Sequence, residues 1–417
     1  MLSWANRFNI CVLLDNHHYT SRHNNTVECL VAAGAVKIFE PKDDPLTPEA
    51  SGLREFNNNT PDWIFGHLGY DCKNYIEPLS SKHFDGIGFP DIFFFQPEIV
   101  LQLSGDTLTI ASLTISPAEI YDQIQKESIS VGNDPKLVIK PRITKQEYIS
   151  AIESLKKHIQ RGDCYEINFC QEFFADNAEI DAISVYNQLT KISPVPFACF
   201  YKLNDKYLLC ASPERYLKRT GGRILSQPVK GTFKRNHKDA AKDELMKQEL
   251  HNSAKERSEN VMIVDLVRND LSKVCVEGSV HVEELFGIYT FPQVHQMVST
   301  VAGTLKEGVD LVEILKATFP MGSMTGAPKR KVMELIEQYE QTKRGLYSGS
   351  VGYIDPNKNF DFNVVIRSIL YSASQKYLSY QVGGGITFNS EPEKEYEECL
   401  LKAEAIRRVL QPLDESK

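Results

Sequence analysis

The succession of short strand-like runs joined by tight turns restricts the fold of this chain more than any other feature. Gly221-Gly222 separates two such runs and Gly105-Asp106 separates two others, as in β-hairpins. Amphipathic stretches lie between them, such as Tyr148–Gln160, whose apolar residues recur at helical spacing. Strands that follow one another in hairpins pair antiparallel, and amphipathic helices cover their faces. The sequence therefore predicts an α+β fold of large antiparallel sheets with helices on the outside.

Residues 113–143 separate two regions of the chain, because they are helix-like and then polar and proline-bearing, as in a linker. We expect an N-terminal region over residues 1–140 and a second region over residues 141–412 that share one fused core. In the first region Val27–Val36 predicts a helix, and in the second residues 239–271 predict one long polar helix.

Composition and charge argue against two classes of partner. The 417 residues carry a net charge of −8 and no basic stripe, which does not suit nucleic acid. No apolar run approaches the ~18 residues of a membrane-spanning helix, and the N-terminus lacks a signal-peptide pattern. The nine cysteines include no Cys-x-x-Cys pair, which indicates reduced thiols rather than disulfides or a zinc site. We therefore expect a cytoplasmic protein that binds neither nucleic acid nor a membrane.

Lys230 is unusual for its place, between a strand-like run and the turn at Gly231-Thr232. If its side chain points into the interior, the ammonium must be paired or must lose its proton. A buried amine that loses its proton becomes a nucleophile. The alternative is a lysine whose charged end reaches solvent beside the turn.

Two Glu-x-x-Glu pairs, Glu256 with Glu259 and Glu395 with Glu398, each place two carboxylates on one face of a predicted helix. The stretch Ser390–Glu393 predicts a capping box at the start of the second of these helices. If the two pairs meet in the fold, their oxygens suit an octahedral Mg²⁺ ion. The alternative is two solvated acidic helix faces.

Two glycine-rich stretches and one arginine favour a small anionic ligand. Gly322–Lys329 leads into a predicted helix, whose first N–H groups favour an anion. Gly383–Gly385 ends a predicted strand and lets a ligand approach the backbone. Arg367 lies in an apolar strand-like run, where it should bind a carboxylate of the ligand or of a structural Asp or Glu. Neither glycine-rich stretch matches a P-loop or a dinucleotide fingerprint.

Taken together, these residues resemble the chorismate-utilising enzymes, which include anthranilate, aminodeoxychorismate, isochorismate and salicylate synthases. The resemblance is close over about residues 140–410 and looser over Trp63–Asp71. The matching stretches are Gly162–Tyr165, Ser212–Arg215, Pro228–Thr232, Glu256–Asp270, Pro292–His295, Gly322–Lys329, Tyr347–Gly349, Arg367, Gly383–Gly385 and Glu395–Lys402. The resemblance implies the anthranilate synthase component I type of fold, a sandwich of antiparallel sheets with outer helices.

Within this family the residue at position 230 separates the members, and lysine there is typical of aminodeoxychorismate synthase component I. Asn260 indicates the same branch, because anthranilate synthases usually have histidine after the second glutamate. The resemblance implies conversion of chorismate and ammonia to 4-amino-4-deoxychorismate, which leads to p-aminobenzoate and folate. Two alternatives remain, an anthranilate synthase component I with an unusual lysine and a non-catalytic chorismate-binding protein.

The resemblance also implies roles for single residues. Lys230, as a neutral amine, would attack C2 of chorismate. Glu214 would protonate the departing C4 hydroxyl, unless it forms a structural salt bridge with Arg215. His295 would lie near the ring, or be an ordinary core histidine. The expected substrate-binding residues are Gly231, Thr232, Thr325, Tyr347, Arg367, Gly383, Gly384, Gly385 and Lys402. The expected Mg²⁺ site consists of Glu256, Glu259, Glu395 and Glu398, with Glu259 and Glu398 as direct ligands.

Three departures and absences qualify the resemblance. The sequence has no Gly-x-Cys-x-Gly nucleophile elbow, so a separate glutaminase subunit is implied as the source of ammonia, with free ammonia as a substitute. Many relatives bind tryptophan between two elements that here read Leu13–Asp15 and Ser193–Phe197. Both lack a polar residue usual in the family, which weakens the case for a tryptophan site. Glu166 stands where glutamine is usual.

Overall fold

Hairpin strands and covering helices make up the structure, a computed structural model that describes residues 1–19, 27–41, 52–127 and 137–411. The strands in these residues are β1 (Ile10–Asp15), β2 (Cys29–Ala33), β3 (Lys37–Phe39), β4 (Ile64–Leu68), β5 (Ile92–Gln96), β6 (Ile99–Ser104), β7 (Thr107–Ser112), β8 (Lys140–Pro141), β9 (Glu166–Ala175), β10 (Phe197–Leu203), β11 (Lys206–Ser212), β12 (Arg215–Thr220), β13 (Arg223–Gln227), β14 (Val229–Lys234), β15 (His281–Thr290), β16 (Val294–Thr304), β17 (Gly326–Ala327), β18 (Ser350–Ile354), β19 (Phe360–Asn363), β20 (Ser368–Ser372) and β21 (Tyr377–Ile386). The α-helices are α1 (Leu2–Ala5), α2 (Gly52–Asn58), α3 (Pro117–Gln125), α4 (Lys145–Gln160), α5 (Ala182–Ile192), α6 (Ala240–Asn252), α7 (Ala254–Val274), α8 (Leu311–Thr318), α9 (Lys329–Tyr339), α10 (Pro392–Lys402) and α11 (Glu404–Leu410).

Two antiparallel sheets contain these strands. Within the described residues the first sheet has 11 strands in the order β17-β9-β21-β20-β11-β10-β1-β2-β6-β7, with β8 beside β9. The second has 10 strands in the order β14-β16-β13-β12-β19-β18-β4-β5-β3, with β15 beside β16. Strands from before residue 113 extend both sheets, because β1 pairs with β10 and β4 pairs with β18.

The two sheets pack face to face around an apolar core, and β1 shows how alternating side chains build it. Val12 belongs to the buried cluster that also contains Phe94 of the second sheet. Its neighbours Cys11 and Leu13 point to the opposite face, into a second buried cluster that contains Leu155 of α4. The first sheet therefore has the second sheet on one face and helices on the other. The predicted α+β sandwich with outer helices is confirmed.

The predicted helix over Val27–Val36 is wrong, because Cys29–Ala33 form β2, an inner strand of the first sheet. All five residues of β2 are buried, so both faces of the strand are apolar and the alternation that marks a strand is lost. A short apolar run of this kind cannot be told from a buried helix by periodicity alone.

The helices differ from prediction at two termini. The long helix predicted over residues 239–271 is two helices, because Ser253 ends α6 and its side chain caps the start of α7. The predicted capping box of α10 does not form. Glu391 is the N-cap residue without a side-chain cap, while Ser390 Oγ accepts a hydrogen bond from the backbone of Thr387 at 3.1 Å. No helix in the described parts of the chain is long and apolar enough to cross a membrane.

Candidate active site

A cavity of about 850 Å³, partly open to solvent, lies between corresponding edges of the two sheets. Strands β9 and β21 of the first sheet and β14 and β16 of the second supply its walls, and α7 and α10 supply carboxylates. The predicted site residues that line it are Glu214, Lys230, Gly231, Thr232, Glu256, Glu259, Tyr347, Arg367, Gly383, Gly384, Gly385, Glu395, Glu398 and Lys402. Residues from three distant parts of the sequence thus meet around one space.

Two predicted site residues do not line this cavity. Thr325 is fully buried, and its hydroxyl donates to the backbone oxygen of Met321 at 2.9 Å. His295 is also buried, with one ring nitrogen 3.1 Å from Asp243 and the other 3.0 Å from Thr290. The next residue, Gln296, lines the cavity instead, because successive side chains of β16 point to opposite faces. The prediction that His295 faces the site is therefore wrong, and Gln296 lines the cavity in its place.

A β-bulge in β14 shapes the wall next to Lys230. Lys230 pairs with Met297 and Thr232 with Gln296, so Gly231 is an extra residue in the ladder. Gly231 has φ of +82°, and a Cβ atom there would lie 2.9 Å from a carboxylate oxygen of Glu256. Glycine is required at this position by both the backbone and the neighbouring helix α7.

At one end of the cavity Lys230 forms a hydrogen-bonded ion pair with Glu166 of β9. Burial alone would favour the neutral amine, but the charges of Glu166, Glu259 and Glu214 outweigh it and raise the pKa of Lys230. The surrounding charges therefore favour the ammonium form of the lysine. This differs from the neutral amine expected from sequence, where the partner of Lys230 could not be identified.

Glu214 lies near Lys230 and is almost completely buried. Burial raises the pKa of its carboxyl group to about 7, although a hydrogen bond from Ser323 Oγ at 2.6 Å acts in the opposite direction. A carboxyl group with this pKa can hold a proton near neutral pH and give it to a leaving group. Arg215, the expected structural partner, forms an ion pair with Asp361 at 2.8 Å.

Arg367 lies between β19 and β20 rather than within a strand, and it has a left-handed backbone with φ of +51°. Burial lowers the pKa of its guanidinium to about 10, with the nearby charge of Glu214 opposing the shift. Within the described residues no carboxylate forms an ion pair with it, so the structural Asp or Glu considered from sequence is not found there. A guanidinium that lines a cavity without such a partner is available to an anionic ligand. We name the group of Glu166, Glu214, Lys230 and Arg367 the lysine end of the cavity.

The other end of the cavity, the acidic end, consists of Glu256, Glu259, Glu395 and Glu398 with the ammonium groups of Lys255 and Lys402. Lys402 lies 2.9 Å from Glu398, and its charge lowers the pKa of that carboxyl group to about 2. Lys255 lies 3.5 Å from Glu395. Two ammonium groups therefore face four carboxylates.

The Oε1 atom of Glu259, at the acidic end, lies 3.9 Å from the ammonium group of Lys255. Burial raises the pKa of Glu259 to about 7, and its Oε1 atom is buried without a hydrogen-bond partner. Oxygen donors with an excess of negative charge fit a hard divalent cation such as Mg²⁺. Among the described residues, however, no three carboxylates, histidines or cysteines are close enough together to hold an ion as they stand.

Comparison with known proteins agrees with this geometry. Residues 15–408 match the family described as chorismate binding enzyme. The chain belongs to the chorismate binding enzyme family. It is 33% identical to aminodeoxychorismate synthase component 1 of Salmonella typhimurium, over 98% of this chain and 90% of that protein. It is 32% identical to anthranilate synthase component 1 of Aquifex aeolicus, over 92% of this chain and 82% of that protein.

Solved structures of the family have the same fold. Anthranilate synthase component I from Streptococcus pneumoniae superposes with a TM-score of 0.80 at 24% sequence identity, covering 94% of this chain and 96% of that one. At this identity the likeness is evidence for the fold alone.

The predicted residues account for most of the cavity wall, but sequence reasoning missed several others, among them three polar residues. Ser323, Lys255 and Gln296 line the cavity and contact Glu214, Glu395 and Thr232 respectively. Ser323 lies within the glycine-rich stretch, which was interpreted as an anion site at the start of α9. Lys255 directly precedes Glu256 of the first Glu-x-x-Glu pair, and this position in the sequence could have identified it as a site residue.

A second cavity, of about 660 Å³, lies where the two segments considered for tryptophan meet. Leu14 and Asp15 line it on one side, and Pro196 and Phe197 on the other. The two segments therefore come together as in a ligand site, although neither carries the polar residue usual in the family.

Proposed function

We propose that this chain binds chorismate in the cavity and converts it, with ammonia, to 4-amino-4-deoxychorismate. The observation that carries the proposal is the position of Lys230, whose amine lines the cavity beside an acid with a pKa of about 7. The similarity to aminodeoxychorismate synthase component 1 of Salmonella typhimurium supports the same choice.

The chemistry follows from the groups at the lysine end. Lys230 Nζ attacks C2 of the ring as a neutral amine, the ring double bonds shift, and the C4–O bond breaks. Glu214 protonates the departing hydroxyl, which leaves as water. Ammonia then attacks C4, the double bonds shift back, and the bond between Lys230 and C2 breaks.

Several groups bind the two carboxylates of chorismate in this proposal. Arg367 is the guanidinium available for one of them. Lys402, Tyr347, the backbone of Gly231-Thr232 and that of Gly383–Gly385 line the same space. The triple glycine brings bare backbone to the cavity wall, so a planar carboxylate can approach closely.

Glu256, Glu259, Glu395 and Glu398 would hold one Mg²⁺ ion, with Glu259 and Glu398 as direct ligands. A bound Mg²⁺ ion would neutralise a substrate carboxylate that these glutamates otherwise repel. The excess of carboxylates over ammonium groups supports this assignment, as does the buried Oε1 atom of Glu259, which has no hydrogen-bond partner. The ion pairs of Lys255 and Lys402 with glutamates of α10 would then be exchanged for contacts to the metal and to substrate.

A separate glutaminase subunit would supply the ammonia, since the sequence contains no Gly-x-Cys-x-Gly nucleophile elbow. We infer the cytoplasm as the compartment, because the nine cysteines show no disulfide pattern.

The second candidate is an anthranilate synthase reaction, which the similarity to the Aquifex aeolicus protein favours. Product identification after incubation with chorismate, Mg²⁺ and ammonium separates the two. We expect 4-amino-4-deoxychorismate, which yields p-aminobenzoate only after a lyase is added. Fluorescent anthranilate and pyruvate would contradict the proposal, and chorismate binding without turnover would indicate a non-catalytic binding protein.

A further inference from the structure

The carboxylate of Glu166 accepts a hydrogen bond from the amine of Lys230. Glu166 is 1% exposed and does not itself line the cavity, whereas Lys230 does. Glu166 belongs to β9 of the first sheet and Lys230 to β14 of the second, so their ion pair bridges the sheets. Of the described residues, Glu166 is the one that accepts a hydrogen bond from Lys230 Nζ.

Gly385 packs closely against the ion pair of Glu166 and Lys230. A Cβ atom on Gly385 would lie 2.5 Å from Glu166 Oε1 and 2.8 Å from Lys230 Nζ, so a larger residue would displace one of them. The second oxygen, Glu166 Oε2, is buried without a hydrogen-bond partner among the described residues.

The proposed reaction needs a neutral amine, but the surrounding charges favour the ammonium ion. The charged or titratable groups around Lys230 are Glu166 on β9, Glu214 before β12, Glu256 and Glu259 on α7, and Glu398 and Lys402 on α10. Loss of a proton to solvent would leave the site one charge more negative beside a dianionic substrate. Transfer within the pair of Lys230 and Glu166 leaves the net charge of the site unchanged.

We propose that Glu166 is the catalytic base of the first chemical step, taking a proton from Lys230 Nζ when substrate is bound. This role rests on the proposed function, in which Nζ is a reacting atom. Glutamine, usual at this position in the family, could accept a hydrogen bond from the lysine but could not take its proton.

The proton and electron balance closes over the cycle. Lys230 gives one proton to Glu166, and the freed electron pair forms the bond from Nζ to C2. The C4–O bond breaks and the hydroxyl leaves as water with the proton of Glu214. When ammonia attacks C4, the electron pair of the Nζ–C2 bond returns to Lys230, which recovers its proton from Glu166. The new ammonium group at C4 gives one proton back to Glu214.

The test is single-turnover consumption of chorismate by excess enzyme with Mg²⁺ and without ammonia, followed from pH 6 to pH 10. In the unaltered protein we expect the rate to fall as pH rises through about 7, because Glu214 loses the proton that it gives to the hydroxyl. In Glu166→Gln we expect a loss of about 10²–10³-fold near pH 7.5. The ratio of its rate to that of the unaltered protein should then rise by about tenfold per pH unit, because the amine must lose its proton to solvent. Glu166→Asp should restore part of the rate with the pH profile of the unaltered protein.

Glu172→Gln is the matched control, because Glu172 is a buried carboxylate on the same strand that pairs with Arg142 instead. Its rate should stay within about threefold of the unaltered protein. If Glu166→Gln does not fold, the test rests on Glu166→Asp, which should be slower than the unaltered protein but have the same pH profile. Equal or faster consumption by Glu166→Gln, as expected if Glu166 only holds the lysine charged, would overturn the base role. If neither the unaltered protein nor Lys230→Ala consumes chorismate, the proposed function fails instead.

Discussion

Lys230 and Lys402 are both lysines paired with a glutamate beside the cavity, yet the two ends of the cavity differ in how their charges are balanced. At the lysine end two cationic side chains face two carboxyl groups, and the ion pair joins strands of different sheets. At the acidic end two ammonium groups face four carboxylates, and Lys402 pairs with Glu398 one turn away on the same helix.

This difference separates two tasks. The lysine end can pass a proton between neighbours without gaining or losing charge, which suits bond making and breaking. The acidic end has fewer ammonium groups than carboxylates, which suits binding of a divalent cation. Substitutions at the lysine end should therefore affect the rate of the chemical step. Substitutions at the acidic end should affect the Mg²⁺ concentration that is needed for activity.

The largest effect is expected from Lys230→Ala, which removes the proposed nucleophile. Product formation from chorismate and ammonium should fall by at least about 10³-fold, because the remaining site can bind but cannot form the covalent intermediate. Steady-state assay by chromatography measures it. Lys234→Ala is the control, since Lys234 lies on the same strand with its side chain 59% exposed. Equal losses in both variants would mean that the two lysines have the same, non-chemical role.

A smaller effect of about 10²–10⁴-fold is expected from Glu214→Gln, because the hydroxyl then leaves without a proton donor. Since the pKa of Glu214 is raised to about 7, kcat/KM of the unaltered protein should fall as pH rises through about 7. Ser323→Ala removes a hydrogen bond that lowers this pKa, so the fall should move to higher pH. A fall at the same pH in Glu214→Gln would show that another group causes it.

At the acidic end, Glu259→Gln should raise the Mg²⁺ concentration for half-maximal activity by about 10–100-fold, with a smaller change in the rate at saturating metal. Removal of metal by a chelator should weaken chorismate binding in the unaltered protein. Titration of activity with Mg²⁺ measures the first effect and calorimetry the second. Glu397→Gln is the control, because Glu397 is exposed on the same helix as Glu398. A lower rate with an unchanged Mg²⁺ concentration for half-maximal activity would mean that Glu259 acts in the chemical step instead.

The smallest effect is expected on stability. The pKa values of Glu214 and Glu259 are raised by burial to about 7 from 4.5, so the folded protein holds these protons more tightly than the unfolded chain. Their contribution to the free energy of unfolding is therefore present below pH 4.5 and is lost as pH rises to about 7. The loss should be roughly 1–3 kcal/mol per group.

Chemical denaturation at several pH values measures this loss, and the double variant of Glu214→Gln with Glu259→Gln should show less of it. Saturating Mg²⁺ should also reduce it, since the metal stabilises ionised Glu259. An identical pH dependence in the double variant would contradict the raised pKa values.

Local spacing was enough to predict the parts of the site that single elements determine. Glu256 with Glu259, and Glu395 with Glu398, share helix faces at a separation of three residues, so their joint exposure to one cavity could be inferred. The run Gly383–Gly385 likewise marks close approach to backbone whatever the fold around it.

The features that could not be predicted from sequence depend on tertiary contacts or on which face of a strand a residue occupies. Glu166 and Lys230 are 64 residues apart in sequence and lie in different sheets, so no local sequence pattern could predict their ion pair. His295 and Gln296 differ by one position on β16, and only the register of the strand decides which of them faces the cavity. The β2 segment was predicted as a helix because burial on both faces removes the alternation of a strand.

Peptide mapping by mass spectrometry of protein quenched during turnover tests the central claim most directly. The protein would be mixed with chorismate and Mg²⁺ without ammonia, so that the second half of the reaction cannot proceed. We predict that the peptide containing Lys230 gains the mass of chorismate less water, and that added ammonium removes the modification as product appears. Formation of 4-amino-4-deoxychorismate with no modification at Lys230 at any time would contradict the account.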